Sequence, residues 1–152
     1  MPELKVEIRP ARPDDLDRLV ELLKELFAIE VDFTFNESLQ RRGLQLLEAN
    51  SSACLLVAKV AGQVMGMCSG QLTISTAEGG PALLVEDVIV DTRYRGRGVG
   101  RALLEGLGAW GKGQGAHRLQ LLADRHNTAA LAFYRRLGWQ STGLICLRKH
   151  VC

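Results

Sequence analysis

Residues 4–9 alternate, with Leu4, Val6 and Ile8 apolar and Lys5, Glu7 and Arg9 charged, and this period of two predicts a strand. Pro13-Asp14-Asp15 then opens a helix, since proline near the first helical position and acids in the first turn suit a helix N-terminus. Leu16, Leu19, Val20, Leu23, Leu26 and Phe27 form its apolar stripe. A second helix is expected over residues 37–49, with Leu39, Leu46 and Leu47 inward. Residues 53–60 and 64–75, joined at Ala61-Gly62-Gln63, read as an antiparallel hairpin. A loop containing Gly79-Gly80 leads to a strand over residues 82–90. Residues 99–110 predict a helix with Val99, Leu103, Leu107 and Trp110 on one side, ended by the glycines between 111 and 115. A strand over 119–123, a helix over 127–137 and a last strand or strand pair over 139–148 follow. The order β-α-α-β-β-β-α-β-α-β predicts an α/β domain around a mixed sheet. No repeat, low-complexity tract or linker interrupts the 152 residues, so residues 1–152 are expected to form a single domain.

Charge narrows the partners. The formal net charge of +2 is too small to argue for nucleic acid, and the basic residues form no long run. Their one dense patch, Arg93 to Arg101, suits a ligand with a few phosphates better than a polymer. No apolar run approaches the ~20 residues of a membrane span. The charged N-terminus has no apolar signal segment, so a cytoplasmic location and no membrane partner are expected. Cys54, Cys68, Cys146 and Cys152 show no paired spacing, and the first three stand among apolar residues. Buried free thiols are expected, with no metal site.

The chemistry-bearing segment is Asp91-Thr92-Arg93-Tyr94-Arg95-Gly96-Arg97-Gly98-Val99-Gly100. It lies between a predicted strand and the first turns of a predicted helix. Glycines let the backbone turn sharply and approach a ligand closely. Unpaired N–H groups at a helix start, with the helix dipole, favour bound phosphate. Arg95, Arg97 and Arg101 add positive charge. By itself such a loop is equally a surface turn, since short glycine motifs are unspecific. Gly106-x-Gly108-x-x-Gly111 matches the dinucleotide pattern but falls inside a predicted helix, with Trp110 in the way. No Walker A run exists. Gly66-x-Cys68-x-Gly70 is followed by a β-like segment rather than a helix, so Cys68 reads as a strand cysteine and not a nucleophile.

Arg95-Gly96-Arg97-Gly98-Val99-Gly100 resembles the Arg/Gln-x-x-Gly-x-Gly/Ala signature of the GNAT superfamily of acetyl-CoA-dependent N-acetyltransferases. Glu86-Asp87-Val88-Ile89-Val90-Asp91 before it is similar to the family's fourth strand. Residues 127–139, Asn127 to Trp139, resemble the family's Asn-x-x-Ala-x-x-Phe-Tyr-x-x-x-Gly-Phe segment, with Trp at the last position. Residues 8–15 also look like a family opening. The specific match covers residues 82–139.

The resemblance implies a GNAT-like fold: a mixed, splayed sheet flanked by about four helices, its fourth and fifth strands parting to admit pantetheine. It implies acetyl transfer from acetyl-CoA, a co-substrate, to an amine, without a metal. The backbone of Val88, Ile89 and Val90 is then expected to pair with pantetheine, with the Val88 N–H towards the thioester carbonyl. The amides and side chains of Arg95, Gly96, Arg97, Gly98, Val99, Gly100 and Arg101 are expected at the diphosphate. Asn127, Ala129, Ala130 and Phe133 are expected beside the pantetheine.

Tyr134 shares an apolar helix face with Leu131 and Leu137, and from spacing alone is a half-buried aromatic. The resemblance implies instead a general acid for the leaving thiolate. Glu86 is the expected base: an alkyl ammonium of pKa near ~10.4 must lose a proton before it attacks. Alternation puts the neighbouring Asp87 on the opposite face, so at most one of the two serves. Glu86-Asp87 also resembles the polyamine acetyltransferases of the superfamily.

In such folds the first two helices and their joining loop line the acceptor pocket. Here that loop carries Glu30, Asp32 and Phe33, followed by Phe35 and Glu37. Acids among aromatics suit a cationic amine, and equally describe core phenylalanines with solvated acids. A small-molecule amine or a peptide amine is expected as acceptor. Family dimers often form through C-terminal strands, and Leu144-Ile145-Cys146-Leu147 leaves a homodimer open. Two other classes stand beside the enzyme: a non-catalytic acetyl-CoA-sensing module, and a binder of another phosphorylated nucleotide. The residue 127–139 segment argues against the second.

Overall fold

The computed structural model describes residues 4–30 and 32–152. Its elements are β1 (Val6–Pro10), a 3-10 turn (Pro13–Asp15), α1 (Leu16–Ile29), α2 (Glu37–Ala49), β2 (Ala53–Val60), β3 (Gln63–Ser75), β4 (Gly80–Val90), a 3-10 turn (Thr92–Tyr94), α3 (Val99–Gly113), β5 (Leu119–Leu121) and α4 (Thr128–Arg136). The chain divides into two units, Met1–Leu121 and Leu122–Cys152.

In the first unit the strands lie in the order β1-β2-β3-β4-β5. The first four pair antiparallel and β5 runs parallel to β4, so the sheet is mixed. The β2–β3 turn is Ala61-Gly62, both left-handed (φ 51° and 79°), which is the two-residue geometry that matches strand twist. One face of the sheet is covered by α1 and α2. There Leu16, Leu19, Val20, Leu22, Leu23 and Leu26 of α1 join Leu44 of α2 and Leu55, Val57, Met67 and Ile89 of the strands in one buried cluster. On the other face Val99, Leu103 and Leu107 of α3 are fully enclosed. Close approach here depends on absent side chains: a Cβ at Gly70 would lie 2.9 Å from Leu83 Cδ1, and one at Gly106 3.1 Å from Ile8 Cγ2. The glycines of the dinucleotide-like run are thus helix–sheet contacts inside α3.

The α2 boundaries are as expected and Leu47 faces inward as expected, but Leu39 and Leu46 do not. Leu39 and Leu46 are exposed, while Leu44 is 1% exposed and Leu47 packs against the cluster. An apolar spacing of seven identifies a stripe but not which stripe meets the sheet. Leu44→Ala is expected to cost about 2–5 kcal/mol through its cavity, and Leu46→Ala no more than about 0.5 kcal/mol; urea denaturation of the two variants checks the assignment.

In the second unit α4 is the one helix among the described residues, and residues 138–152 form no strand. This corrects the expected final strand: a strand requires a hydrogen-bonding neighbour, and Leu144, Ile145, Leu147 and Val151 are instead exposed. Cys146 is likewise exposed, against expectation, as is Cys152. Burial holds only for Cys54, whose thiol is pushed up to about 11 by desolvation, and for Cys68, pushed up further.

Candidate active site

Pairing between β4 and β5 covers only Leu83 with Leu119, Leu84 with Gln120 and Val85 with Leu121. Among the described residues no strand of the first unit pairs with β4 on that side beyond Val85, so within that unit Glu86 to Val90 form an unpaired backbone edge. This is the expected parting of the fourth and fifth strands.

At the start of the open stretch β4 bulges. Ser69 of β3 pairs with Glu86, and Met67 pairs with Ile89. Asp87 and Val88 therefore stand against Cys68 alone, two residues against one. Asp87 takes a left-handed conformation, φ 54°, uncommon for a residue with a Cβ. The buried Ser69 hydroxyl donates to the Glu86 carbonyl at 3.1 Å and pins the strand there. Glu86 is exposed, Asp87, Val88 and Val90 are half-buried, and Ile89 is buried in the core. Ile89 therefore sends its side chain into the core.

Asp91 ends β4 and organises the next turn. Its carboxylate accepts from the Arg93 backbone N–H (2.9 Å), from Arg93 Nε (3.0 Å) and from Arg18 of α1 (2.7 Å). The Arg93 side chain is the main cause, with its backbone N–H and Arg18, of an Asp91 carboxyl held well below the usual range. Asp15 is lowered in the same way, mainly by Arg9, which binds it at 2.7 and 3.0 Å and ties β1 to the start of α1. A folded value below the unfolded one stabilises above pH ~4 and is lost as pH falls further. Asp91→Asn is expected to lower the melting temperature at pH 7 and to flatten the acid loss below pH ~4; thermal melts between those values check this.

The arginine-glycine loop follows. Arg95 Nε donates to the Val90 carbonyl at 2.9 Å, and the Arg97 guanidinium lies 5.8 Å from the Tyr94 ring centre. Gly96 and Gly98 are exposed and left-handed (φ 72° and 86°). Gly98 is the N-cap of α3 and supplies no capping side chain. The first-turn amides, Val99, Gly100 and Arg101, are therefore left for an outside acceptor. Val99 and Gly100 are buried, whereas Arg101 is exposed and paired with Glu105 at 3.0 Å.

Across the sheet, Glu30 is the C-cap of α1. Its charge and that of Glu86 both repel Asp87, so the structure brings the start of the α1–α2 loop to the bulge. Asp32 and Phe33 are exposed, with the Phe33 ring 6.2 Å from that of Phe27. Phe35 packs on the core, and Lys24 Nζ lies 6.0 Å from its ring centre. Val31 of that loop lies outside the described residues.

In the second unit the Asn127 side chain caps α4 by accepting from the Ala130 N–H at 3.1 Å. Gly138 (φ 92°) ends the helix: its N–H reaches the Arg135 carbonyl and the Trp139 N–H the Tyr134 carbonyl, both at 3.0 Å. That is a Schellman cap, in which the residue after the glycine contacts the third residue from the end. Here the contact is Trp139 on Tyr134, ring centres 5.7 Å apart, with Phe133 at 5.2 Å on Tyr134 as well. The spacing of Tyr134, Gly138 and Trp139 is thus a device for seating the phenol ring.

Sequence reasoning gave no site role to Arg18, Ser69 or Asp91. Asp91 had a local signal, an acid two residues before an arginine at a strand end; Arg18 and Ser69 had none, being 73 and 17 residues from their partners. Among the described residues no group of three or more His, Cys, Asp or Glu is placed to hold a metal, and no helix is long and apolar enough to cross a membrane.

The model of the GNAT acetyltransferase family matches residues 16–139, and the chain belongs to that family. An uncharacterized N-acetyltransferase of Methanocaldococcus jannaschii is 26% identical over 91% of this chain and 62% of its own length. The N-alpha-acetyltransferase RimI of Mycobacterium tuberculosis is 45% identical over 40% of this chain and 36% of its own length. The chain thus spans less than two thirds of either relative. Among solved structures, the aminoglycoside N-acetyltransferase AAC(6')-Iy in complex with CoA has the same fold, with a TM-score of 0.85 at 18% identity over 100% of this chain and 99% of that one.

Proposed function

We propose that this chain, as one domain over residues 1–152, transfers the acetyl group of acetyl-CoA directly to a primary amine. The observation that carries this reading is the open edge of β4 leading into an uncapped α3 N-terminus. The family match and a CoA-bound structure of the same fold support it. The residues present fit acetyl-CoA. The backbone of Val88 and Ile89 would pair with pantetheine as an added strand, with the Val88 N–H towards the thioester carbonyl. The Val90 carbonyl already accepts from Arg95, which leaves its N–H. The amides from Gly96 to Arg101 would hold the diphosphate, with Arg95, Arg97 and Arg101 adding charge. Asn127, Ala129, Ala130 and Phe133 would lie beside the pantetheine.

Acetyl-CoA brings an activated thioester, whose sulfur leaves as the amide forms. Tyr134 would deliver a proton to that sulfur, and a carboxylate of the bulge, Glu86 or Asp87, would relieve the incoming ammonium of one. Glu30, Asp32 and Phe33 would face the acceptor. Likeness to an N-alpha-acetyltransferase and to an aminoglycoside N-acetyltransferase supports reading both peptide and small-molecule amines as candidates. The test is thiol release from acetyl-CoA with spermidine, kanamycin, free lysine and a short peptide with an open N-terminus, beside calorimetry of acetyl-CoA binding. Turnover of one class is the expected result. Binding without turnover of any would favour an acetyl-CoA-sensing module, and no binding would overturn the reading.

A further inference from the structure

Asp87 is a carboxylate in an unfavourable place. Its backbone is left-handed at φ 54° inside a strand, a conformation that costs a residue with a side chain on the order of 1–3 kcal/mol. Its side chain is half-buried, and no donor among the described residues hydrogen-bonds it. The charges that act on it, Glu86 on its own strand and Glu30 at the C-cap of α1, are both negative. From β3 the residues opposite are uncharged: Cys68, and Ser69, whose hydroxyl is occupied by the Glu86 carbonyl. Neither α3 nor β5 contributes a charge that acts on it. A carboxylate drawn partly out of water is ordinarily paired, and among the described residues no cation acts on this one. It also stands beside Val88, the residue expected to meet the thioester. Strain, partial burial and a missing cation at one position mark a functional group rather than a structural one.

We propose that Asp87, held by the bulge of β4, is the carboxylate that receives the acceptor's ammonium group and takes its proton. This rests on the acetyl-transfer reading above and chooses between the two carboxylates that reading leaves. One N–H proton passes from the ammonium to Asp87. The nitrogen's freed pair forms the C–N bond at the thioester carbonyl carbon. The C–S bond breaks with its pair going to sulfur, which is protonated by Tyr134, and the second N–H proton, lost from nitrogen as the amide forms, restores the Tyr134 hydroxyl. Asp87 then returns its proton to water. Nothing is oxidised or reduced. Burial, with repulsion from Glu86 and Glu30, pushes the Asp87 carboxyl up to about 6, closer to working pH than an ordinary aspartate. That suits a base, which must be ionised yet hold a proton briefly. The three acids also select an acceptor that arrives as a cation.

The experiment compares Asp87→Asn with Glu86→Gln in the intact chain. Asparagine keeps the shape and tolerates the left-handed conformation, so folding is preserved. For the amine of highest turnover among spermidine, kanamycin and a peptide α-amine, wild-type kcat/KM is expected to fall as pH drops through about 6. In Asp87→Asn it should fall by about 10²-fold or more at pH 7.5, with the limb near pH 6 gone. Glu86→Gln should retain the limb. A second readout needs no turnover. A carboxyl raised in the folded state makes wild type more stable as pH falls from 8 to 5. Asp87→Asn should melt at least as high as wild type at pH 8 and lose that pH dependence. A limb that persists in Asp87→Asn, a limb that vanishes in Glu86→Gln instead, or an Asp87→Asn variant that melts lower than wild type at pH 8 overturns the assignment. If wild type neither binds acetyl-CoA nor acetylates any of these amines, the acetyl-transfer reading itself falls and takes this one with it.

Discussion

Tyr134→Phe is expected to lower kcat by about 10²-fold or more while the KM for acetyl-CoA changes little. The substitution removes one oxygen and leaves the ring. That ring is seated edge-on against Phe133 and Trp139, and the Schellman cap at Gly138 holds the turn beneath it. Phenylalanine keeps those contacts, so α4 should retain its shape. A phenol O–H is a proton donor that can serve a leaving thiolate. Steady-state thiol release with varied acetyl-CoA separates kcat from KM. A variant with unimpaired kcat would show that the leaving sulfur draws its proton from elsewhere, most simply from water.

Gly98→Val should weaken acetyl-CoA binding at least about tenfold, equivalent to ~1.4 kcal/mol. Gly98 sits at φ 86° at the N-cap of α3, and no atom lies within 4 Å of where its Cβ would be. The effect is therefore conformational rather than steric: a β-branched residue strongly resists the left-handed region, at ~1–2 kcal/mol even for a simple side chain. The loop would relax towards ordinary angles and turn the amides of Val99, Gly100 and Arg101 away from a common acceptor. The exposed side chain would also stand where the diphosphate is proposed to approach. Calorimetry with acetyl-CoA measures the loss, and a fall in melting temperature of a few degrees should accompany it. Binding unchanged by Gly98→Val would place the diphosphate away from this turn. Gly98→Ala should lie between the two proteins.

Much of the fold was legible because local pattern and tertiary need agree. Periods of two and of 3.6, with punctuation such as Pro13, Ala61-Gly62 and Gly138, marked nearly every element among the described residues. The loop was legible for a similar reason: arginine and glycine between a strand and a helix limit what the backbone there can do. The exceptions all involve partners distant in sequence. Which side of α2 faces inward was decided by where the sheet lies, so Leu44 and Leu47 enter the core and Leu39 and Leu46 do not. A final strand over residues 139–148 was plausible by composition, but hydrogen bonding to a neighbour, not composition, makes a strand.

The carboxylates show the same division. The sequence by itself determined that two acids precede an apolar β-edge and a phosphate-type loop, since side-chain chemistry and chain order are local facts. It also determined the family, through the loop and the residue 127–139 segment. Only the tertiary structure decided that β4 carries one residue more than β3 at this point, because a bulge belongs to a pair of strands and not to either one. That extra residue leaves Glu86 in solvent, partly withdraws Asp87 from it and brings Glu30 near. Desolvation and Coulomb repulsion depend on what surrounds a group in space. No pattern along the chain could therefore have told which of two adjacent acids is poised to hold a proton.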